Sequence, residues 1–172
     1  QGDGSNLSAV LYHLWGADRD KEVETAQGQK ESDRTQRQDI LKFIQSLPEQ
    51  DIVRLSFLIE PRGGVMVQLT ETFGGHERDV DASLLSDGTL RVLSIAAAML
   101  SAPEDSLVVI EEIDNGVHPS RAHHLLANIR SIAERRRLRV LLSTHNPAML
   151  DALPDAALSD VLFCYRDPND GS

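Results

Sequence analysis

Apolar residues recur at two different periods along this chain, and the change of period divides it. Leu7, Val10, Leu11, Leu14 and Trp15 fall on one helical face, with Ser5 or Asn6 placed to cap the helix. Ile40, Leu41, Ile44 and Leu47 predict a second amphipathic helix, stopped by Pro48. Between them, positions 16–38 are almost wholly polar, which predicts a solvated surface helix or a flexible stretch. From Ile52 the period shortens to two. Ile52, Val53, Leu55, Phe57 and Ile59 predict a strand, Pro61-Arg62-Gly63-Gly64 a turn, and Val65, Val67 and Leu69 a second strand ended by Gly74-Gly75. Two such strands predict an antiparallel pair.

Beyond Asp81, strands and helices alternate. Ser86 to Leu100 is apolar nearly all round, so a buried helix is expected. Leu107 to Ile110 has the unbroken apolar run of a buried parallel strand. Pro119 to Arg136 reads as an amphipathic helix with Ala122, Leu125, Leu126, Ile129 and Ala133 inward, its proline placed where a helix start tolerates one. Val140-Leu141-Leu142 gives another buried strand, Pro147 to Leu153 a short helix, and Val161 to Tyr165 a last strand. The alternation predicts an α/β fold: a mostly parallel sheet flanked by helices, with an antiparallel β part.

Composition narrows the function classes. The length of 172 residues suits one domain, and the formal charge of −10 argues against broad, non-specific nucleic-acid binding. Aromatics are only 4 %, so the core is expected to be aliphatic. The single cysteine, Cys164, excludes an internal disulfide and suits a reducing, cytoplasmic compartment; its place in the last strand predicts a small core residue. No apolar stretch approaches the ~18 residues of a membrane helix.

Three segments carry candidate chemistry. In Leu85-Ser86-Asp87-Gly88-Thr89-Leu90-Arg91, a hydroxyl residue and a glycine open a buried helix. Free N–H groups and the helix dipole there suit a phosphate, though an ordinary cap by Ser86 or Asp87 is the plainer reading of this segment alone. In Leu107-Val108-Val109-Ile110-Glu111-Glu112, a strand delivers two carboxylates at its C-terminal end, where α/β sheets bind ligands. Neighbouring side chains point apart, so one acid can hold Mg²⁺ while the other orients a water. A solvated strand end before the turn Asp114-Asn115-Gly116 is the plainer reading. In Leu141-Leu142-Ser143-Thr144-His145-Asn146-Pro147, a second strand ends in a histidine that can bond a γ-phosphate or cap the next helix. If the two strands are adjacent, His145 stands beside Glu111 and Glu112.

In this order the segments resemble the ABC-type ATPase heads of the RecF/SMC-like branch, the "AAA ATPase domain" group. Leu85 to Thr89 looks like the signature motif, Leu107 to Glu112 like Walker B with its catalytic glutamate, Asp114 to Pro119 like the D-loop, and Ser143 to Pro147 like the switch-histidine loop. The resemblance is strong over residues 84–150. It implies that Glu111 organises Mg²⁺, Glu112 positions the hydrolytic water and His145 senses the γ-phosphate. It further implies that Ser86 and Gly88 touch ATP held by a second subunit, with Asp114 at the seam of a homodimer. Relatives act in DNA repair and, with a Toprim nuclease attached, in phage defence.

The sequence departs from the pattern in places. Glu111 stands where Asp is usual, Asp87 where the signature has a glycine, and Ile113 where a proline often follows the glutamate. Asp87 is therefore expected to cap its helix or turn aside from phosphate. No Gly-x-x-x-x-Gly-Lys-Ser/Thr loop occurs. Without that nest of N–H groups and its lysine, the β- and γ-phosphates lack a holder. The chain is thus expected to be a single partial domain, the C-terminal part of a head, inactive without a Walker A-bearing N-terminal lobe. Two other readings stand beside ATP hydrolysis: a non-hydrolysing, nucleotide-gated interaction module, and a metal-dependent nuclease using Glu111, Glu112 and Asp114. Arg135, Arg136, Arg137 and Arg139 suit a helix C-terminus better than DNA, and the histidines lack zinc-ligand spacing.

Overall fold

The computed structural model describes residues 6–14, 38–45, 51–59, 61 and 64–166. The expectations for Trp15, Leu47, Pro48, most of the polar stretch and half of the Pro61–Gly64 turn lie outside these residues. The elements run α1 (Leu7–Leu14), α2 (residues 38–45), β1 (Asp51–Ile59), β2 (Val65–Phe73), β3 (His76–Asp81), α3 (Asp87–Ser101), β4 (Leu107–Ile110), α4 (Ala122–Arg136), β5 (Arg139–Leu142) and α5 (Pro147–Asp151). The molecule is an α/β fold with one antiparallel and one parallel sheet.

The antiparallel sheet has the order β1-β2-β3. Gly74 (φ 59°) and Gly75 (φ 82°) close the β2–β3 hairpin. Two consecutive left-handed residues make the tight hairpin turn whose twist matches the strands, and glycine adopts it without a steric penalty. The sequence pattern missed β3, because His76-Glu77-Arg78-Asp79-Val80-Asp81 buries Val80 alone. Its polar side chains are used locally instead: Thr70 Oγ1 donates to Asp79 at 2.7 Å and Gln68 Nε2 to Asp81 at 2.9 Å. Helix α1 lies on β2 and α3, its Ser8 hydroxyl accepting from the Val67 amide at 3.2 Å.

One core joins both sheets. Leu11, Ile40, Phe43, Ile44, Leu69, Leu93, Met99, Leu100 and Leu125 are almost fully enclosed. Each such side chain contributes roughly 1.5–3 kcal/mol by leaving water. Helix α3 is buried on nearly all sides, as its composition predicts. Helix α2 is tied to α4 by a 2.6 Å ion pair between the enclosed Asp39 and Arg135. The arginine run is consumed structurally: Arg136 Nη2 donates to the Ala102 carbonyl at 2.7 Å, and Arg137 pairs with Asp105 and Glu104.

Strands β4 and β5 pair in parallel, Leu107 to Ile110 against Arg139 to Leu142, with α4 as the crossover. Their burial differs from the expectation. Val108 and Ile110 point into the core, while Leu107 and Val109 are 56 % and 54 % exposed. An apolar run cannot tell one buried face from two. The expected strand at Val161–Tyr165 does not form. Leu162, Phe163 and Tyr165 are largely exposed, and Cys164 is exposed rather than a core residue. A strand needs a neighbour's backbone as well as apolar side chains, and among the described residues none pairs with this segment.

Candidate functional site

The parallel register decides where the chemistry gathers. Because Ile110 lies opposite Leu142, the residues after both strands emerge side by side. The Ser143 amide donates to the Ile110 carbonyl at 3.0 Å, and the Ile113 amide donates to the Ser143 carbonyl at 3.0 Å. The Ser143 hydroxyl accepts from the Glu112 amide at 3.0 Å. Glu111, Glu112 and His145 thereby share one end of the sheet, all three exposed.

Glu112 has a left-handed backbone, φ 47°. That conformation costs a non-glycine residue roughly 1–2 kcal/mol and persists only where neighbours impose it. Here Ser143 holds its amide, and the Asn115 amide donates to its carbonyl at 2.9 Å. The Arg91 guanidinium also reaches the Glu111 carbonyl and, at 3.3 Å, the Glu112 carbonyl.

Asp114 turns inward. Its side chain is 6 % exposed and accepts from the Thr144 hydroxyl at 2.6 Å, with His145 Nε2 3.6 Å from its other oxygen. Burial pushes its carboxyl up. The Thr144 bond, the backbone amides of Asp114 and His145, and the histidine's charge outweigh that, so the net shift is below the ordinary aspartate value. Thr144 Oγ1 also accepts from the Asn146 amide at 3.1 Å. Asn146, rather than His145, caps α5 by accepting from the Ala148 amide at 3.0 Å. His145 is left 78 % exposed, with the Asp114 carboxylate 3.6 Å from its Nε2.

Ser86 is the N-cap of α3: its extended backbone (φ −66°, ψ 154°) lets Oγ accept from the Thr89 amide at 3.2 Å. Such a cap contributes ~1 kcal/mol. Asp87 stands exposed in the first turn, where a carboxylate complements the helix dipole. Gly88 is buried for a reason the sequence does not state. A Cβ there would overlap the Gly116 carbonyl oxygen and lie 3.2 Å from its carbon. Gly116 itself is left-handed, φ 73°, and its own Cα side faces the Gly88 amide. The first helical turn of α3 and the 111–116 loop are therefore packed backbone to backbone.

Residues 10–151 match the family described as "AAA domain, putative AbiEii toxin, Type IV TA system". The chain belongs to this AAA family. Its fold is that of SMC ATPase heads. A structure of the SmcHead bound to the C-winged helix domain of ScpA superposes with a TM-score of 0.54 at 12 % identity, covering 88 % of this chain and 50 % of that one. A structure from a study of ATP-driven dimerization and DNA stimulated activation of SMC ATPases gives 0.47 at 14 % identity, covering 70 % and 74 %. The Pyrococcus furiosus Smc head with an extended coiled coil, bound to the C-terminal domain of ScpA, gives 0.47 at 13 %, covering 72 % and 31 %. No curated protein matches the sequence. As an AAA domain, the chain is a nucleotide-binding, ATPase-type module. No described helix is long and apolar enough to cross a membrane.

Sequence reasoning gave no role to Arg91, Ser143 or Thr144, although all three lie inside the segments it singled out. A signal for Arg91 was present: three residues after Gly88, it shares that residue's helix face.

Proposed function

We propose that this AAA domain is the signature, Walker B and switch-histidine half of a dimerising ATPase that hydrolyses Mg-ATP. The observation that carries the proposal is the junction of the β4 and β5 ends, where the Glu112 amide is bonded to Ser143 and His145 lies 3.6 Å from the Asp114 carboxylate. In this reading Glu112 orients the attacking water and accepts its proton as oxygen bonds the γ-phosphorus and ADP departs. His145 donates to a γ-phosphate oxygen. Ser86 and the N–H groups around Gly88, at the start of α3, grip ATP held by a second subunit. The turn from Asp114 to Gly116 faces the dimer seam, its exposed residues being Asn115 and Gly116.

The residues fit a magnesium–nucleotide complex better than a protein-caged metal. Among the described residues no three His, Cys, Asp or Glu side chains stand together to hold an ion. Mg²⁺ in nucleotide sites takes one or two carboxylates and leaves its other positions to phosphate and water. Glu111, exposed at the strand end, supplies that carboxylate, and the ion when bound offsets the charge of the phosphates.

The β- and γ-phosphates need a Walker A loop that this sequence does not contain. We assign that loop to a partner lobe, joined upstream or bound in trans. The family resemblance points to DNA repair or phage defence as the process. The matched family's description names a putative AbiEii toxin of a type IV TA system.

The test is Mg-ATP turnover, and mass by light scattering, for this chain with and without that lobe. Turnover and an ATP-dependent doubling of mass only in the assembled protein are expected. An assembled protein that binds ATP and dimerises without turnover makes the chain a nucleotide-gated interaction module. One that neither binds nor hydrolyses ATP refutes the proposal.

A further inference from the structure

Arg91 sits one turn into α3, on the face that meets the 111–116 loop. Its Nη2 reaches the carbonyl oxygens of both Glu111 and Glu112. Its Nε is buried with no hydrogen-bond partner among the described residues. A buried, unpaired guanidinium nitrogen is unfavourable, so this placement is not explained by the satisfaction of Arg91 itself. It is explained by what Arg91 holds. Two successive carbonyls aimed at one cation fix the peptide plane on the C-terminal side of Glu111 and the one after Glu112. Those planes flank the left-handed residue, φ 47°.

We infer that Arg91 is a positioning residue for hydrolysis: its guanidinium clamps the Glu111 and Glu112 carbonyls and so aims the Glu112 carboxylate from its strained backbone. The inference rests on the ATPase reading of Glu112. A second contact supports it independently. Three residues earlier on the same helix, Gly88 lies against the Gly116 carbonyl so closely that no Cβ fits. Helix α3 thus touches both ends of the acidic loop, at Glu111–Glu112 and at Gly116. The helix whose N-terminus meets one ATP is rigidly linked to the glutamate that acts on another. A displacement of α3 on nucleotide engagement would move Glu112 with it. Both contacts come from one nitrogen, so a lysine ammonium, with three donors of its own on a shorter stem, is expected to restore them in part.

The experiment compares the assembled, Walker A-bearing protein with its Arg91→Met and Arg91→Lys variants. Methionine keeps the apolar stem and removes the donors. Three readouts are taken: kcat, nucleotide Kd, and hydrogen–deuterium exchange of residues 111–116. For Arg91→Met we expect kcat to fall roughly 10–100-fold, the range for losing a group that orients a catalytic one. Kd should stay within about twofold, because the clamp touches no phosphate, and the Glu112 and Ile113 amides should exchange faster. Arg91→Lys should restore part of kcat and part of the protection. An Arg91→Met protein with unchanged kcat and unchanged exchange overturns the inference. So does a loss of rate that follows a loss of nucleotide affinity. An unsubstituted protein with no turnover refutes the ATPase reading instead, and the exchange of the two amides then still decides whether Arg91 clamps the loop.

Discussion

At the N-terminal end of the β4–β5 sheet, Asp105 (φ 63°) leads into β4 and Arg137 (φ 54°) into β5; at the C-terminal end stands Glu112 (φ 47°). All three are non-glycine residues in the left-handed region, yet they are supported in opposite ways. Asp105 and Arg137 hold each other: the guanidinium reaches the two carboxylate oxygens at 2.8 and 2.9 Å, with Glu104 at 3.1 Å. That bond keeps the Asp105 carboxyl below its ordinary pKa. The charges are spent on each other. Glu112 instead is held through its backbone, by Ser143, Asn115 and Arg91, while its side chain is exposed and has no bond among the described residues. The same backbone conformation closes a structural joint at one end of the sheet and presents an exposed carboxylate at the other. Strain by itself does not mark a site; strain that leaves a charged side chain uncommitted does.

Glycine substitution sharpens the comparison most. Glu112→Gly should abolish turnover while raising stability by about 0.5 kcal/mol, the relief of left-handed strain less glycine's chain entropy. Arg137→Gly should leave turnover intact. Thermal or urea unfolding beside an ATPase assay checks both, and equal turnover in the two variants would erase the distinction. Gly88→Ala should destabilise by about 1–3 kcal/mol, because an added methyl must displace the Gly116 backbone. A neutral result in urea melts would show that the helix and loop are not packed as described. The smallest effect concerns acid. Asp114 titrates below its ordinary value in the folded chain, so its bonds to Thr144 and His145 stabilise above the unfolded pKa of roughly 3.9 and fail as pH falls through the lower folded value. Asp114→Asn should flatten the acid limb of stability below about pH 4. An identical acid limb in both proteins would contradict this.

The large elements were legible in the sequence because periodicity reports what is buried. Helices α3 and α4 and strands β4 and β5 lie where the apolar spacing puts them, and the register of β4 on β5 brings Glu111, Glu112 and His145 to one end as expected. The antiparallel pair was legible too, but β3 was not, since a strand that buries only Val80 has no period to read. Val161 to Tyr165 misled for the converse reason: it has the side chains of a strand without a neighbour's backbone. The supports of the site left little trace. Arg91 bonding to carbonyls, Ser143 holding an amide and Gly88 making room for Gly116 are all backbone contacts between segments distant in sequence. Spacing along one segment carries no information about them. Motifs mark the candidate groups; the contacts that position them are written in the tertiary fold.

The central claim is that Glu112 activates the water that attacks ATP. The most direct test is phosphate release from saturating Mg-ATP by the assembled protein and by its Glu112→Gln variant, with nucleotide Kd measured on the same preparations. Glutamine keeps the size and removes the base. The expected result is a rate lowered about 10²–10⁴-fold, the range for losing a general base, at an unchanged Kd. A Glu112→Gln protein that releases phosphate at the parental rate would contradict the claim and move the chemistry to another residue.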